Sequence, residues 1–431
     1  MLSQNLHKGL MTFMLSSLLA SCVTIEQTAL PQYRLDNGLW FNGETFEPQT
    51  AYVIGNSLQF SPSETEAADI IDLDGAYVVP PFCEAHNHNI GGRADGVEEV
   101  VQAYLNNGIF YAMMPGSFAL YREQIADKIN KPDSVDVVFA NNGLTGSGGH
   151  PRKLREFLKR RYGRYPEFTN ATFADKGYFE ADTLDEVYEK WALILAEKPD
   201  FIKVMLLYSE EYQERKDDPE YYGLRGLNPE FLPEVVRLAQ AENLRVAVHV
   251  NTDFDMAMAL RAGVDIIAHM PSYRSPLQLS DETIALAKET NAIVVTTLSL
   301  AKRFEQRDPE SYAATIAAQR DNLKRAHAAG VNLVIGSDNT RGTSRGEAEH
   351  IASLDVLDNR TLLNMWTTRC AEAVFPGRKI GRLIDGYEAS FVVLEGDPLA
   401  DFDNTGRISL RMKEGQLLGS SEPKAPQSAQ R

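Results

Sequence analysis

The chain of 431 residues carries 43 lysines and arginines against 60 aspartates and glutamates, a formal net charge of −17, with 43% hydrophobic and 24% charged residues. That balance excludes a largely disordered chain, and it argues against nucleic acid, which rewards basic stripes, and against docking on anionic lipid by charge. The length has room for a barrel-sized domain and a smaller one.

Residues 1–8 are slightly basic, and Leu10 to Ala20 is a short apolar run too brief to span a bilayer comfortably, which reads as an export signal. Leu19-Ala20-Ser21-Cys22 resembles the bacterial lipobox, whose cysteine becomes the lipidated first residue of the mature protein. The expectation is a signal peptide over 1–22, lipidation at Cys22 and a lipoprotein on the periplasmic side of the cell envelope. The lipid anchor would then be its only membrane contact. Two further cysteines, Cys83 and Cys370, do not make a disulfide framework and are expected as buried free thiols.

From Tyr33 to Val79, short apolar runs are broken by Asp36-Asn37-Gly38, Asn42-Gly43 and Gly55-Asn56-Ser57, a pattern of small strands and turns. Too short to bury a core alone, this segment needs a partner elsewhere. Gly-punctuated strands recur from Lys379, including Phe391-Val392-Val393-Leu394, so 33–78 and 379–418 are expected to form one small β-sandwich domain. The Ser, Pro, Gln and Ala-rich tail over 419–431 reads as disordered.

Between these ends, over 79–378, apolar runs alternate with helix-length segments. The candidate strands are Tyr77–Phe82, Gly108–Met114, Val135–Ala140, Phe201–Leu207, Leu244–Val250, Asp265–Met270, Ala292–Leu298 and Asn332–Gly336. Helix starts lie between them: a capping box at Thr183-x-x-Glu186, a cap with proline at Asn228-Pro229, and Ser280-Asp281-Glu282. Near-continuous apolar strands alternating with helices imply a parallel sheet covered on both faces, and eight such units imply an α/β fold of the (β/α)8 TIM-barrel type. The connection after the third strand is out of scale, with Gly148-Gly149-His150 and a basic aromatic stretch from Lys159 to Tyr165, and it should rise over the barrel mouth.

The strand ends carry the chemistry. His86 and His88, one residue apart, can share a face at the end of the first strand. Lys203 lies on the fourth strand, His249 and His269 end the fifth and sixth, and Asp338 follows the eighth. A lone His-x-His is more often chance than ligand; four histidines, a lysine and an aspartate on five strand ends are a metal-ligand pattern.

On these residues the sequence resembles the amidohydrolase superfamily, in its imidazolonepropionase-like and dipeptidase-like branch. The resemblance is strongest at Asp72-Leu73-Asp74-Gly75 leading into His86-x-His88 and at Gly386 to Pro398. Pro81 stands where the family has glycine, Cys83-Glu84 where it has Ile/Val-Asp, and Gly336-Ser337-Asp338 where it has Gly-Thr-Asp. The resemblance implies two divalent ions, zinc or else manganese or iron, bridged by a carboxylated Lys203. One ion takes His86, His88, the carbamate and Asp338, and the other the carbamate, His249 and His269. It implies a metal-bridging hydroxide that attacks a polarised carbonyl, with Asp338 passing the proton to the leaving group.

The substrate expected is a small molecule with an amide bond and a free carboxylate, such as a dipeptide or N-acyl amino acid. It would be contacted by His150, Arg152, Tyr208, Tyr273, Arg274 and Arg341, with Arg345 nearby, because arginine forks match carboxylates. A lactone or ester hydrolase or a decarboxylase on the same barrel is the nearest alternative, and a non-catalytic envelope binding or scaffold lipoprotein the alternative of another class. His7, His327 and His350 are read as structural or leader residues. The sequence leaves homo-oligomerisation open.

Overall fold

The structure is a computed structural model that describes residues 32–91, 95–271 and 277–419. Cys22, with the export signal, lies outside the described residues, as do Tyr273, Arg274 and most of the C-terminal tail. Among the described residues no helix is long and apolar enough to cross a membrane.

Eight short parallel strands make the centre of the molecule: β1 (Phe82–Glu84), β2 (Ile109–Met114), β3 (Asp136–Phe139), β4 (Ile202–Met205), β5 (Val246–His249), β6 (Ile266–Ile267), β7 (Ile293–Val295) and β8 (Asn332–Val334). β1 to β3 form one sheet in order, and β4 to β8 pair in order within a second that also includes the two-residue strands Leu144–Thr145 and Phe179–Glu180. Every residue of β2, β4 and β5 is buried, as expected of strands with helices on one side and packed side chains on the other. Beyond β8 and β1, backbone bonds continue the pairing: Ala85 N donates to Ile335 O at 3.0 Å, and Asp338 N to His86 O at 2.7 Å. Between β3 and β4, Asp200 N donates to Phe139 O and the Asp200 carboxylate receives Phe139 N, each at 2.8 Å.

The anticipated helix starts form as read. Thr183 and Glu186 close a reciprocal capping box on Leu184–Ala196, the Asn228 side chain accepts Glu230 N, and that of Ser280 accepts Thr283 N ahead of Asp281–Thr290. The oversized connection after β3 contains the helix Arg152–Tyr162.

Both chain ends join in one eight-stranded sheet, where a sandwich was anticipated. Tyr77–Val79 lies between Tyr33–Phe41, with which it is parallel, and Phe391–Leu394, with which it is antiparallel. Leu35, Trp40, Val53, Phe391 and Met412 make its separate core. Lys413, fully buried, reaches from this sheet to Asp136 at the start of β3 at 2.7 Å.

Two expectations are corrected here. The first strand does not run from Tyr77 through Phe82: it breaks at Pro80-Pro81, which have no N–H to give a ladder, so Tyr77–Val79 belongs to the end sheet and β1 begins afresh at Phe82. Cys83 and Cys370 are not free thiols but a disulfide, both fully buried, tying β1 to the helix Thr368–Val374 across 287 residues of sequence. Sequence spacing gave no hint of this pairing, because the two meet only after the last helix packs against β1.

His350 and His327 lie on helices, as read. The His350 ring is buried, donates Nε2–H to Gln319 Oε1 at 2.9 Å, and is pushed down to about 4 by burial and then by the Lys302 charge. Its unfolded value is near 6.5. A histidine depressed in the folded state contributes its full stability above pH 6.5 and loses it as pH falls toward 4, here about 2–3 kcal/mol. His350→Gln is therefore expected to unfold less steeply than wild type between pH 6.5 and 4.5 in denaturant titrations; parallel curves would contradict this.

Candidate metal centre

β1 ends at Glu84, so His86 and His88 lie just beyond the strand, in a segment held from several sides. The fully buried Glu84 carboxylate accepts Ser337 N and Ser337 Oγ, both at 2.7 Å, His86 N at 3.2 Å and Asn87 Nδ2 at 3.2 Å. Burial pushes Glu84 up to about 7 while these four donors favour its charged form. Asn87, between the histidines, accepts His88 N on Oδ1 at 2.7 Å and donates Nδ2 to Asn339 O at 3.1 Å. Glu84 and Asn87 thus lock the His-x-His turn to the loop that carries Asp338. The sequence reading used Glu84 only as a departure from a family pattern; its signal was a carboxylate inside an apolar strand.

The histidine rings are oriented from behind. His86 Nδ1 lies 2.7 Å from Ala268 O and His88 Nδ1 2.8 Å from Gly116 O; because a carbonyl only accepts, each Nδ1 carries the proton and each Nε2 presents its lone pair inward. Those two Nε2 atoms are 3.2 Å apart, and Asp338 Oδ1 is 3.3 Å from that of His88. Ligand atoms of His86, His88 and Asp338 all lie within 4.8 Å of one another, a spacing one metal ion spans. His269 packs on both neighbours, 4.3 Å from the His86 ring and 4.5 Å from that of His249. Two glycines make room: a Cβ at Gly116 would sit 2.8 Å from the His88 ring, and one at Gly336 2.7 Å from His86 N.

Lys203 projects from β4 into this group. It is 2% exposed, and its Nζ has no hydrogen-bond partner. Burial lowers it to about 7, opposed by the Asp338 charge. His86 and His269 are held well below the ordinary imidazole value by burial first and then by neighbouring positive charge, Lys203 included, so both are neutral, the ligating form. His88 is lowered chiefly by burial, with smaller contributions from the Lys203 and Arg155 charges. A buried amine without a hydrogen-bond partner beside three imidazoles is costly in the protein alone.

The surrounding loops are braced by buried acids. Asp255, fully buried, accepts Tyr208 N and Ser209 N after β4 and Asn251 N and Thr252 N after β5, at 2.8–3.1 Å. Glu347 accepts Leu298 N and Ser299 N after β7. Tyr208, Thr297 and Asp338, just past β4, β7 and β8, all take positive φ (53°, 53° and 47°), a conformation that L side chains disfavour and that clusters at functional loops.

The expected substrate contacts divide. His150 comes to the centre, its ring stacked on that of His249 at 4.9 Å. The glycines before it serve the fold: a Cβ at Gly149 would sit 2.8 Å from Arg225 O, so Gly148-Gly149 admits the protein's own chain rather than a ligand. Arg152 is engaged with Glu156 at 3.3 Å and Glu180 at 3.2 Å. The Tyr208 ring lies under Arg215 at 3.9 Å, and Arg341 is exposed on the loop after β8. Arg345 faces away from the mouth, onto Asn107 and Thr405. Sequence reasoning missed Arg155, 8% exposed, whose guanidinium lies over the Phe118 ring at 4.1 Å.

Residues 221–418 match the amidohydrolase family. Ochratoxinase of Aspergillus niger is 29% identical over 251 residues, 55% of this chain and 50% of its own length, so the match spans about half of that relative. Among solved structures, A. niger ochratoxinase shares the fold at a TM-score of 0.71 with 21% identity, covering 90% of this chain and 96% of its own. A Xaa-Pro dipeptidase with bound methionine gives 0.70 with 17% identity, covering 90% and 100%. An amidohydrolase structure gives 0.70 with 22% identity, again covering 90% and 100%. The family match covers just under half of the chain, and the solved structures share its α/β fold.

Proposed function

We propose that this chain is a metal-dependent amidohydrolase that cleaves a carbon–nitrogen bond in a small, carboxylate-bearing substrate, on a closed (β/α)8 barrel. Closure is supported by the backbone bonds that join the β8 end to the β1 end and β3 to β4. The observation that carries the chemistry is Lys203 Nζ, buried without a hydrogen-bond partner and close enough to His86, His88, His269 and Asp338 for their charges to interact. The donor set fits two divalent ions, for which imidazole nitrogen with carboxylate oxygen suits zinc. Such ions would supply Lewis acidity toward a carbonyl and a water acidic enough to react at neutral pH.

The chain's own residues do the rest. With its amine lowered to about 7, Lys203 is partly neutral at physiological pH, the form that adds carbon dioxide to give a carbamate and release a proton. That change turns a buried cation without a hydrogen bond into an anionic oxygen donor beside His86, His88 and His269. Asp338 Oδ1, 3.3 Å from His88 Nε2, is placed to accept a proton from the attacking water and return it to the leaving nitrogen. Glu84 and Asn87 fix that carboxylate relative to the His-x-His turn. Ochratoxinase and a Xaa-Pro dipeptidase among the relatives support an amide as the bond cleaved. The export signal supports an envelope lipoprotein anchored at Cys22, and a disulfide suits an oxidising compartment.

Metal-loaded protein is expected to hydrolyse members of a panel of dipeptides, N-acyl amino acids and lactones, and to lose that activity on chelation and regain it with zinc or manganese. Protein that binds no metal, or whose turnover survives chelation, would refute the reading. Carbon dioxide release without water incorporation would favour the decarboxylase, and preference for lactones the esterase-type alternative.

A further inference from the structure

We propose that Arg155 is the carboxylate anchor of the substrate site, receiving the free carboxylate of an N-acyl amino acid or dipeptide whose scissile bond lies at the metal centre. The inference rests on the hydrolase reading and assigns its specificity to a residue in the first turn of the helix Arg152–Tyr162.

Two connections bring Arg155 beside the centre. That helix starts directly after His150 and Pro151, and the His150 ring stacks on His249. From the other side, the guanidinium lies over Phe118, two residues beyond Gly116, whose carbonyl holds His88 Nδ1 at 2.8 Å. Arg155 therefore stands over the loops after β2 and β3.

The guanidinium is permanently charged, yet only 8% of the residue is exposed and its Nε has no partner. Among the described residues no carboxylate lies within ion-pair distance of it. Glu197, an acid whose charge it feels, is engaged with Asn142 Nδ2 at 2.7 Å and is pushed up to about 7 by burial. Phe118 at 4.1 Å and Tyr165 at 5.8 Å give the cation ring contacts, which attract it without using its N–H donors. Tyr178, packed against Phe173 in the same aromatic cluster, likewise has a hydroxyl buried without a partner. A buried arginine fork with unused donors is complementary to a planar monoanion, and a carboxylate accepts two parallel N–H bonds from it. Other arginines expected for this task have other work: Arg152 pairs with Glu156 and Glu180, and Arg345 ties down Asn107.

The test compares matched pairs of N-acyl amino acids or dipeptides with their C-terminal carboxamides, on metal-loaded protein. Wild type is expected to favour the carboxylates by about 100-fold in kcat/KM. Arg155→Met, which keeps the side-chain length without the charge, should lose most of that preference while keeping its metal content and unfolding midpoint. Should Arg155→Met fail to fold, Arg155→Lys keeps the cation but loses the fork and should weaken the preference about tenfold. A preference that is undiminished in these folded variants, or is missing from wild type, overturns the anchor. Equal hydrolysis of both members of each pair would leave the hydrolase reading standing while sinking the anchor. If no substrate turns over, calorimetric binding of the same pairs still decides the anchor alone.

Discussion

Lys203→Met is expected to strip the centre of metal and lower turnover on the order of 10³-fold or more, well beyond the 10–100-fold typical of losing a group behind a ligand. Lys203 is the buried amine whose charge acts on His86, His88 and His269, and methionine offers a length match with no oxygen donor. The same substitution should act in the opposite direction on the metal-free fold. Nζ is buried without a hydrogen bond, and removing an unsatisfied polar atom of this kind relieves about 1–3 kcal/mol. Elemental analysis, turnover and an unfolding curve on metal-free protein read the three effects together. Full metal content with wild-type turnover in Lys203→Met would end the bridging role.

Asp338→Asn is the second large effect, a loss of about 10²–10⁴-fold in kcat with KM little changed. Asparagine keeps the shape and one oxygen, so the His86–His88 side of the centre should still hold metal, more weakly. What it loses is a proton acceptor facing the His88 Nε2 edge at 3.3 Å. The loop itself has its own supports, since Asp338 N donates to His86 O and Ser337 is gripped by Glu84. A collapse of kcat is therefore attributable to proton transfer rather than to a displaced loop. Wild-type kcat in metal-replete Asp338→Asn would remove Asp338 from the chemistry.

Together these variants separate the metal bridge from the acid–base group, while Arg155 separates specificity from both. A scaffold protein that had kept the fold without chemistry would leave no reason for a buried lysine without a hydrogen-bond partner beside these histidines. Burial of a charge is costly, and a site that retains one without protein partners is completed by something else.

Much of this was written locally in the chain. Each of the eight strands is a mostly apolar, mostly buried run, so the existence of seven of them, and the apolar run that holds the first, could be read without knowledge of neighbours. The helix starts at Thr183, Asn228 and Ser280 follow from side chains capping their own backbone. The six residues proposed as metal ligands were legible because each sits on or just beyond a strand, and parallel strands in order deliver their C-terminal ends to one place.

What only the tertiary structure decided involves groups whose meaning depends on what they meet across the fold. Cys83 and Cys370 are 287 residues apart, and nothing in their own surroundings distinguishes a thiol from half a disulfide. Pro80-Pro81 divides one apolar run between two sheets. Glu84 read as a substitution until Ser337, Asn87 and the His86 amide closed on it. Among the arginines the sequence offered several equivalent forks after the strands. Packing alone paired Arg152 with acids and left Arg155 charged, buried and without one, because side-chain partners on different loops are fixed by three-dimensional contact rather than by spacing along the chain.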